Sequence, residues 1–420
     1  MIHLSPSAVS IAEQLIAECR LLATFSELPD QTTRRFLTPP VALVHDHLRQ
    51  RMQALGMTTH TDALGNLRGL WQPELPASIR IALGSHIDTV PNAGAFDGVL
   101  GVVLALELVR LAKAASLPIA LEILAFSEEE GVRFATPFLG SRAVAGRFDP
   151  ALLSLTDSDG LSLEQAIRGF GPDLLSEPVP QAIENAKLDP QTRAFLEIHI
   201  EQGPVLEAED LSLGVVTSIV GQTRCSLTFV GHANHAGTTP MHLRHDALAA
   251  AAEWTLAVES HAQKTDGLVA TVGKIEAHPN AANVIPGYIQ LSLDIRHADD
   301  AARNSSLRQL LDQAQAIAAR RGIELSWQSQ IDQSAIPMDE QLTDYLVQAV
   351  AAAGLPQRQL PSGAGHDAMI LATRLPTAML FLRSPGGLSH HPDEAVRPAD
   401  VAAALLVAFL FLERLSVSAA

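Results

Sequence analysis

Histidine and acidic residues follow short apolar segments at several points along this 420-residue chain. The stretch GSHIDTVPNAGAFDG, residues 84–98, comes directly after the apolar run SIRIAL and supplies His86, Asp88 and Asp97. Imidazole and carboxylate groups are ligands that zinc, manganese and cobalt accept in proteins. The same residues are also compatible with a solvated loop. Metal binding is therefore the chemistry to test against the rest of the chain.

Three further clusters share this placement: SEEEG at 127–131, EIHIEQG at 197–203 with His199, and GGLSHHPDE at 386–394 with His390 and His391. Alone, SEEEG is equally compatible with a solvated loop, a lone histidine at the position of His199 is more often structural, and GGLSHHPDE is a weak signal. Three adjacent carboxylates repel one another, however, and are costly at a strand end unless cations compensate them. Two metal ions require a shared carboxylate, and the short Asp97 beside a glycine can bridge them. No cluster contains cysteine, so the pattern predicts a catalytic, hydrolytic site rather than a structural cysteine-zinc site.

The elements that position these clusters form a strand–helix–strand pattern. Helical periodicity covers 6–24, 38–55 and 98–115, and the apolar runs IALGSH, LEILAF and AFLEIHI are typical of buried strands. This order indicates a βαβ crossover and a parallel or mixed sheet. Ligands of such sheets gather at the carboxyl ends of the strands, where the polar clusters lie.

The pattern changes at about residue 213. Antiparallel-type strands, a helix at 244–262, strands at 268–276 and 286–296, a helix at 303–321 and a strand at 324–330 predict a separate α+β unit. We therefore expect a discontinuous catalytic di-metal domain at 1–212 and 330–420. The unit at 213–329 is expected as an insertion into it.

Composition narrows the class of protein. A formal net charge of -17 argues against nucleic acid and anionic membrane surfaces as partners. The two cysteines, Cys19 and Cys225, favour a reducing compartment, so a cytoplasmic location is expected. The N-terminus has no signal-peptide pattern, and the apolar run at 401–412 is too short to span a bilayer.

The motifs GSHIDT, FDG, EEGVRF, EIHIEQG, NHAGTTPM, SGAGHDA and GLSHHP resemble, in order, those of the dinuclear-metal M20 peptidase family. The resemblance is to its amidase/hydantoinase/carbamoylase branch, and the motifs run from residue 84 to residue 392. It implies an α/β fold in which a discontinuous catalytic domain has a mixed, mostly parallel sheet. It also implies that the inserted, smaller α+β domain, of order β-α-β-β-α-β, serves as a lid and dimerisation domain.

The resemblance assigns metal ligands position by position. His86, Asp97 and His199 would hold one divalent ion, and Asp97, Glu130 and His390 would hold the other. Zinc or manganese fits these ligands, and cobalt is possible. His391 is the second choice for the last ligand.

Other roles follow from the same resemblance. Asp88 would orient the His86 imidazole, and Glu129 would be the general base. The register within the three glutamates is open to a slip by one residue. His235, with His232 three residues away, matches a histidine that family members donate across a subunit interface, which implies at least a homodimer.

Substrate contacts are also implied by resemblance. Arg296 matches the arginine that binds a substrate carboxylate, a task that suits its planar guanidinium. Asn283, Gln222 and Arg224 match other substrate contacts. Gly365 would offer backbone groups, and His366 and Asp367 would support the site.

The implied activity is hydrolysis of the ureido C–N bond of a small carboxylic acid, with release of ammonia and carbon dioxide. Allantoate is the first expected substrate, and N-carbamoyl-L-amino acids or N-carbamoyl-β-alanine (the β-ureidopropionase substrate) are alternatives. A peptidase or aminoacylase of the wider family is less favoured, because those relatives place a carboxylate where His199 lies. An inactive scaffold should have lost a ligand or the base, and none is missing.

Overall fold

The computed structural model of the chain describes residues 6–74, 76–170 and 177–418. The chain divides into two compact units, residues 1–217 with 337–420 and residues 218–336. We refer to them as the large unit and the small unit. Each has its own apolar core.

Strands of both units are numbered in chain order: β1 Thr58–Thr61, β2 Leu67–Trp71, β3 Ile79–His86, β4 Ile119–Phe126, β5 Thr192–Ile200, β6 Leu213–Ile219, β7 Gly221–Val230, β8 Asn234–His235, β9 Val269–Thr271, β10 Ile275–His278, β11 Val284–Ile285, β12 Tyr288–His297, β13 Glu324–Gln333, β14 Ile336–Pro337, β15 Gln359–Ser362 and β16 Thr377–Leu382. The α-helices are α1 Pro6–Ala23, α2 Pro39–Ala54, α3 Val99–Ala114, α4 Leu139–Val144, α5 Leu163–Phe170, α6 Val179–Asn185, α7 Val205–Ala208, α8 Ala247–Lys264, α9 Asp300–Arg321, α10 Glu340–Ala352, α11 Asp367–Leu371 and α12 Pro398–Ser418. Single 3₁₀ turns occupy Pro150–Ser154, Met241–Leu243 and Pro385–Gly387.

The sheet of the large unit has the order β1-β2-β4-β3-β5-β16-β6-β14, and β15 pairs with β6. Its central strands β4, β3, β5 and β16 are mutually parallel, whereas β2 and β6 pair with them in antiparallel fashion. This confirms the predicted mixed, mostly parallel sheet and the β3–α3–β4 crossover. The carboxyl ends of the four parallel strands meet at one edge, and the four polar clusters lie there.

Apolar packing fixes these strands. All eight residues of β4 are buried, and α3 buries side chains around its whole circumference, as an interior helix must. Helices α1, α3, α10 and α12 share one core with β3, β5 and β16. Leu106 of α3 is fully buried in this core, so truncating it to alanine should cost about 2–5 kcal/mol.

The start of α3 depends on Gly98. This residue has a φ of 66°, in the left-handed region, and a Cβ placed on it would lie 2.5 Å from the ring of His86. Only glycine tolerates both conditions. Gly98 therefore lets the loop that carries Asp97 pass directly against His86.

The small unit has a sheet of order β10-β12-β7-β13, with β9 also paired to β12. Helices α8 and α9 contribute to its apolar core. Both start at an aspartate cap, since Asp246 accepts from the backbone N–H of Ala249 and Asp299 from that of Ala301. The helices predicted at 244–262 and 303–321 thus begin at slightly different residues.

Two sequence expectations differ in detail from the structure. The strand expected at 268–276 is divided into β9 and β10. Between them, the carbonyl of Lys274 accepts a hydrogen bond from the N–H of Ser292, and the N–H of Lys274 donates to Ser292 Oγ. The insertion was expected to begin at 213, but β6 hydrogen-bonds to β16 of the large sheet. The small unit therefore begins at residue 218 and ends at residue 336.

The apolar run at 401–412 forms part of α12, most of whose described side chains are buried. Within the described residues, no helix has the length and apolar character needed to cross a membrane.

Candidate metal centre

The first group of ligand atoms comprises His86 at the end of β3, Asp97 before α3 and His199 on β5. The Nε2 atoms of the two imidazoles are 3.4 Å apart. Asp97 Oδ1 lies 3.3 Å from His199 Nε2 and 3.9 Å from His86 Nε2. All three side chains are buried and offer ligand atoms within 4.8 Å of one another. This spacing suits one metal ion.

The second group comprises Asp97, Glu130 and His390, again with ligand atoms within 4.8 Å. His390 Nε2 is 3.2 Å from Asp97 Oδ2 and 3.5 Å from Glu130 Oε1. Asp97 therefore turns one oxygen to each group, as a bridging carboxylate must. The structure brings together both ligand sets expected from the sequence.

The second ring nitrogen of each buried histidine has a backbone carbonyl as its partner. His86 Nδ1 lies 3.1 Å from the carbonyl oxygen of Asp88, and His199 Nδ1 lies 2.8 Å from that of Ile200. A neutral ring that donates its Nδ1 proton to this carbonyl would leave Nε2 as a lone-pair donor toward the cluster. The Asp88 carboxylate is farther away, at 3.6 Å from His86 Nδ1.

The Asp88 carboxylate instead binds the backbone of the glutamate run. Its two oxygens accept from the N–H groups of Glu129 and Glu130, at 3.1 Å each. Glu128 has a left-handed φ of 52°, and its Oε1 accepts from the N–H groups of Arg133 and Phe134. Glu128 thus closes its own turn, while the next two residues, Glu129 and Glu130, both offer carboxylate oxygens near His86. This arrangement favours the register in which Glu129 and Glu130 face the ligands.

We call His86, Asp97, Glu129, Glu130, His199 and His390 the acid–imidazole cluster. Burial and the negative charge of Asp97 raise the pKa of Glu130 to about 7. Burial, followed by the charge of Glu130, raises the pKa of Glu129 well above its usual value. Burial opposes ionisation of Asp97, yet the His390 hydrogen bond and the nearby imidazoles hold its pKa below its usual value.

The cluster fits divalent cations. Burial beside other acids raises the pKa of Glu129 and Glu130, and cations among these carboxylates would remove the repulsion between them. The donor set is nitrogen and oxygen without sulfur, which suits zinc, manganese or cobalt. His86, Asp97 and His199 would hold one ion, and Asp97, Glu130 and His390 the other.

The two adjacent histidines of GLSHHP have different surroundings. His390 has a left-handed φ of 55° and contacts Asp97 and Glu130. His391 is half exposed, and its Nδ1 accepts from the backbone N–H of Asp393 instead. The structure therefore brings His390, rather than His391, to the cluster.

A buried polar layer lies behind His199. The ring of His366 lies 4.5 Å from the ring of His199, centroid to centroid, and its Nε2 is 2.9 Å from Ser362 Oγ. Glu197 accepts from Ser85 Oγ and from the backbone N–H of Ala368. Of the two expected supporting residues, His366 thus packs directly against a ligand histidine, and Asp367, the next residue, is fully buried. Gly365, expected to offer backbone groups, is the exposed residue just before His366.

Sequence reasoning missed Gln202 and Glu394. The Nε2 group of Gln202 donates to both oxygens of Asp97, at 3.2 and 3.1 Å, and lies 3.3 Å from His390 Nε2. Glu394 accepts from the backbone N–H of Asp97. Both residues lie inside motifs that carry the ligands, EIHIEQG and GGLSHHPDE, and that membership was the available signal.

In the small unit, three expected substrate contacts surround Asp294. Its Oδ2 accepts from Gln222 Nε2 at 2.7 Å, Arg224 Nε at 2.8 Å and Arg296 Nη2 at 3.0 Å, while Oδ1 accepts from Arg296 Nε. We call these four residues the arginine cluster. Arg224 and Arg296 retain side-chain exposures of 46% and 30%, so the cluster can be reached by a ligand.

His235 and Asn283 lie together in the small unit, because β8 pairs with β11 and the carbonyl of Asn283 accepts from the N–H of Ala236. His235 is exposed, and its Nδ1 accepts from the backbone N–H groups of Gly237 and Thr238. The loop thus fixes the imidazole in one orientation, with Nε2 carrying the proton.

Comparisons with known proteins point to the family that the sequence motifs resemble. The model of peptidase family M20/M25/M40 matches residues 82–414. N-carbamoyl-L-amino-acid amidohydrolase of Paenarthrobacter aurescens is 40% identical over 91% of this chain and 93% of its own length. Allantoate deiminase of Arabidopsis thaliana is 36% identical over 96% of this chain and 82% of its own length. The crystal structure of a hydantoinase/carbamoylase family amidase from Burkholderia multivorans superimposes with a TM-score of 0.88 at 30% identity, covering 96% of this chain and 97% of that chain.

Proposed function

The chain belongs to peptidase family M20/M25/M40, and from this premise we propose that it is a metal-dependent amidohydrolase of ureido acids. The observation that carries the proposal is Asp97, which turns one carboxylate oxygen to each of two groups of ligand atoms. The bond cleaved is the C–N bond of a carbamoyl group, and the products include ammonia and carbon dioxide.

Two divalent ions held by the acid–imidazole cluster would polarise the carbonyl and lower the pKa of a water molecule. Glu129 takes the proton from the attacking water and delivers it to the leaving nitrogen. A buried glutamate whose pKa is raised suits this task, since it holds a proton more readily than an exposed carboxylate does.

Residues of the small unit bind the substrate in this proposal. Arg296 binds the carboxylate of the ureido acid with two parallel N–H groups, and Arg224 adds positive charge beside it. Asp294 neutralises one of the two arginine charges, so the cluster keeps a single net positive charge for a single carboxylate. Gln222 and Asn283 supply amide hydrogen bonds to the ureido group, and Gly365 of the large unit supplies backbone groups.

His235 acts from the partner subunit of a homodimer and donates a hydrogen bond from Nε2 to the carbonyl oxygen of the substrate. Its loop supports this role, because the bonds to Nδ1 keep the proton on Nε2. We place the dimer in the cytoplasm, where two buried free thiols, Cys19 and Cys225, remain reduced.

Allantoate is the first proposed substrate, because the chain is similar to the allantoate deiminase of Arabidopsis thaliana. N-carbamoyl-L-amino acids are the second candidate, because the relative with 40% identity carries that activity in its name. Both substrates have a carboxylate and a carbamoyl group, so the same residues can serve either one.

The test is ammonia release by the purified, dialysed protein with manganese or zinc restored. Allantoate, a panel of N-carbamoyl-L-amino acids and N-carbamoyl-β-alanine are offered, and the Glu129→Gln variant measures the background. Preference for allantoate supports the first candidate, whereas preference for a carbamoyl amino acid replaces it with the second. No release from any of them, or hydrolysis of peptides or acylated amino acids instead, overturns the proposal.

The role of His235 in the partner can be tested by mixing two inactive variants, His235→Ala and Glu129→Gln, and letting subunits exchange. If His235 acts across the interface, each mixed dimer contains one intact set of residues, and an equal mixture recovers about a quarter of the wild-type activity. No recovery in exchanged dimers assigns His235 to its own subunit.

A further inference from the structure

Glu394 lies four residues after His390 and is almost fully buried. Its Oε1 accepts from two consecutive backbone N–H groups, those of Phe96 at 2.9 Å and Asp97 at 3.0 Å. Its Oε2 lies 3.3 Å from Ser389 Oγ, next to His390. One carboxylate therefore connects the loop of Asp97 to the loop of His390, although 297 residues separate Asp97 from Glu394.

The Asp97 loop is shaped to receive this carboxylate. A Cβ placed on Gly94 would lie 2.4 Å from Glu394 Cβ and 2.6 Å from Glu394 Oε1. Glycine at this position thus leaves the space that the Glu394 side chain occupies. The loop of Glu394 is also closed, since its backbone N–H donates to the carbonyl of His391.

We propose that Glu394 is a positioning residue that sets the placement of Asp97 relative to His390, and so controls the affinity of the chain for its second divalent ion. This inference rests on the proposed function, in which Asp97 and His390 share that ion. Glu394 touches neither substrate nor ion and acts only through the two loops that it joins.

Loss of this link leaves two buried N–H groups without their acceptor, and the loop must move to hydrate them. A shift of Asp97 affects both ions, because Asp97 faces both ligand groups. The second ion is affected more, since its ligands Asp97 and His390 are the two that Glu394 connects. Residues that orient metal ligands in this manner change metal affinity by about 10–100-fold.

The role makes a distinctive prediction for the size and charge of residue 394. Glu394→Gln keeps an oxygen acceptor at the same reach without the charge, so both ions should bind within about threefold of wild type. Glu394→Asp keeps the charge but withdraws the carboxylate by one methylene, and Glu394→Ala removes it. We expect the second ion to bind more weakly to the Asp variant and about 10–100-fold more weakly to the Ala variant.

The experiment titrates cobalt(II) into the metal-free full chain and follows binding by calorimetry and visible absorbance. Asp393→Ala is the matched control, since it removes an exposed acid from the same loop and should bind cobalt as wild type does. Thermal melts establish that each variant folds. If the Ala variant does not fold, the comparison of Gln with Asp decides. In steady-state assays, the Asp variant should lower kcat with little change in KM.

Equal cobalt affinities for wild type and the Asp and Ala variants overturn the inference. The inference is also overturned if the Asp variant binds cobalt as tightly as wild type while the Gln variant loses the second ion. The charge of residue 394, rather than the position of its acceptor oxygen, would then control cobalt affinity. A wild-type chain that binds fewer than two ions overturns the proposed function, and this inference with it.

Discussion

The two polar clusters of this protein are built in opposite ways. The acid–imidazole cluster is mostly buried, and the pKa values of its glutamates are raised first by burial and then by the charge of neighbouring acids. The arginine cluster is partly exposed and pairs its own charges, since Asp294 binds both Arg224 and Arg296. The acid–imidazole cluster therefore needs added cations to balance its charges. The arginine cluster already balances part of its charge, and an arginine there can bind a ligand carboxylate in place of Asp294.

The sharpest way to expose this difference is metal removal. Exhaustive chelation should abolish turnover and lower the thermal midpoint, because the carboxyls lose the cations that separate their charges. An ion present at about 1,000 times its dissociation constant stabilises the folded chain by about 4 kcal/mol. Elemental analysis, melting curves and recovery on adding manganese or zinc provide the measurement. Full turnover by a verified metal-free protein would contradict the comparison.

The second largest effect is expected for Glu129→Gln. Removing the base should lower kcat by about 10²–10⁴-fold while the ion content stays unchanged. Glu128→Gln is the matched control, since Gln keeps the acceptor for the N–H groups of Arg133 and Phe134. It should retain most of the turnover. If the Glu128 variant is the inactive one, the base belongs one residue earlier.

In the arginine cluster, Arg296→Gln should raise KM by about 10–100-fold, in line with the loss of a charged hydrogen bond. Its ion content should not change, because the ligands lie in the other cluster. Steady-state kinetics measure KM, with Arg224→Gln as a control of smaller expected effect. An unchanged KM would remove Arg296 from the substrate contacts.

The smallest effect is expected for the folding stability of Asp294→Asn. Exposed ion pairs contribute about 0.2–1 kcal/mol, and salt screens them. Urea unfolding at low and high salt should show a loss of that size which shrinks as salt is added. A loss of several kcal/mol that salt does not change would make the arginine cluster resemble a buried network.

The sequence predicted the residues that lie at strand ends. His86, Asp97, His199 and His390 follow apolar runs, and parallel strands bring their carboxyl ends to one edge whatever the loop details. Their assignment to particular ions, and the roles of the base and substrate residues, remain predictions. The order of the strands does not depend on loop details, which explains why the predicted fold class was correct.

Residues whose contacts depend on loop conformation were harder to find. Gln202 reaches Asp97 from the end of β5, and Glu394 reaches the same loop from beyond β16. Neither contact has a periodic signal, because each depends on left-handed turns such as that of Gln202. Asp294 could have been found, since it lies on the same face of β12 as Arg296 and opposite Arg224 on β7.

The order of the strands in the large sheet also has a consequence for synthesis on the ribosome. β16 lies between β5 and β6 in the sheet, although it is the last strand in the chain and most of the chain separates it from β3. A nascent chain that already contains His86, Asp97 and His199 still lacks the strand that holds β5 and β6 together and the loop of His390. At 5–20 residues per second, roughly 10–40 s pass between translation of His199 and His390. Metal loading is thus a late event, and a chain truncated before residue 390 cannot assemble the second ligand group.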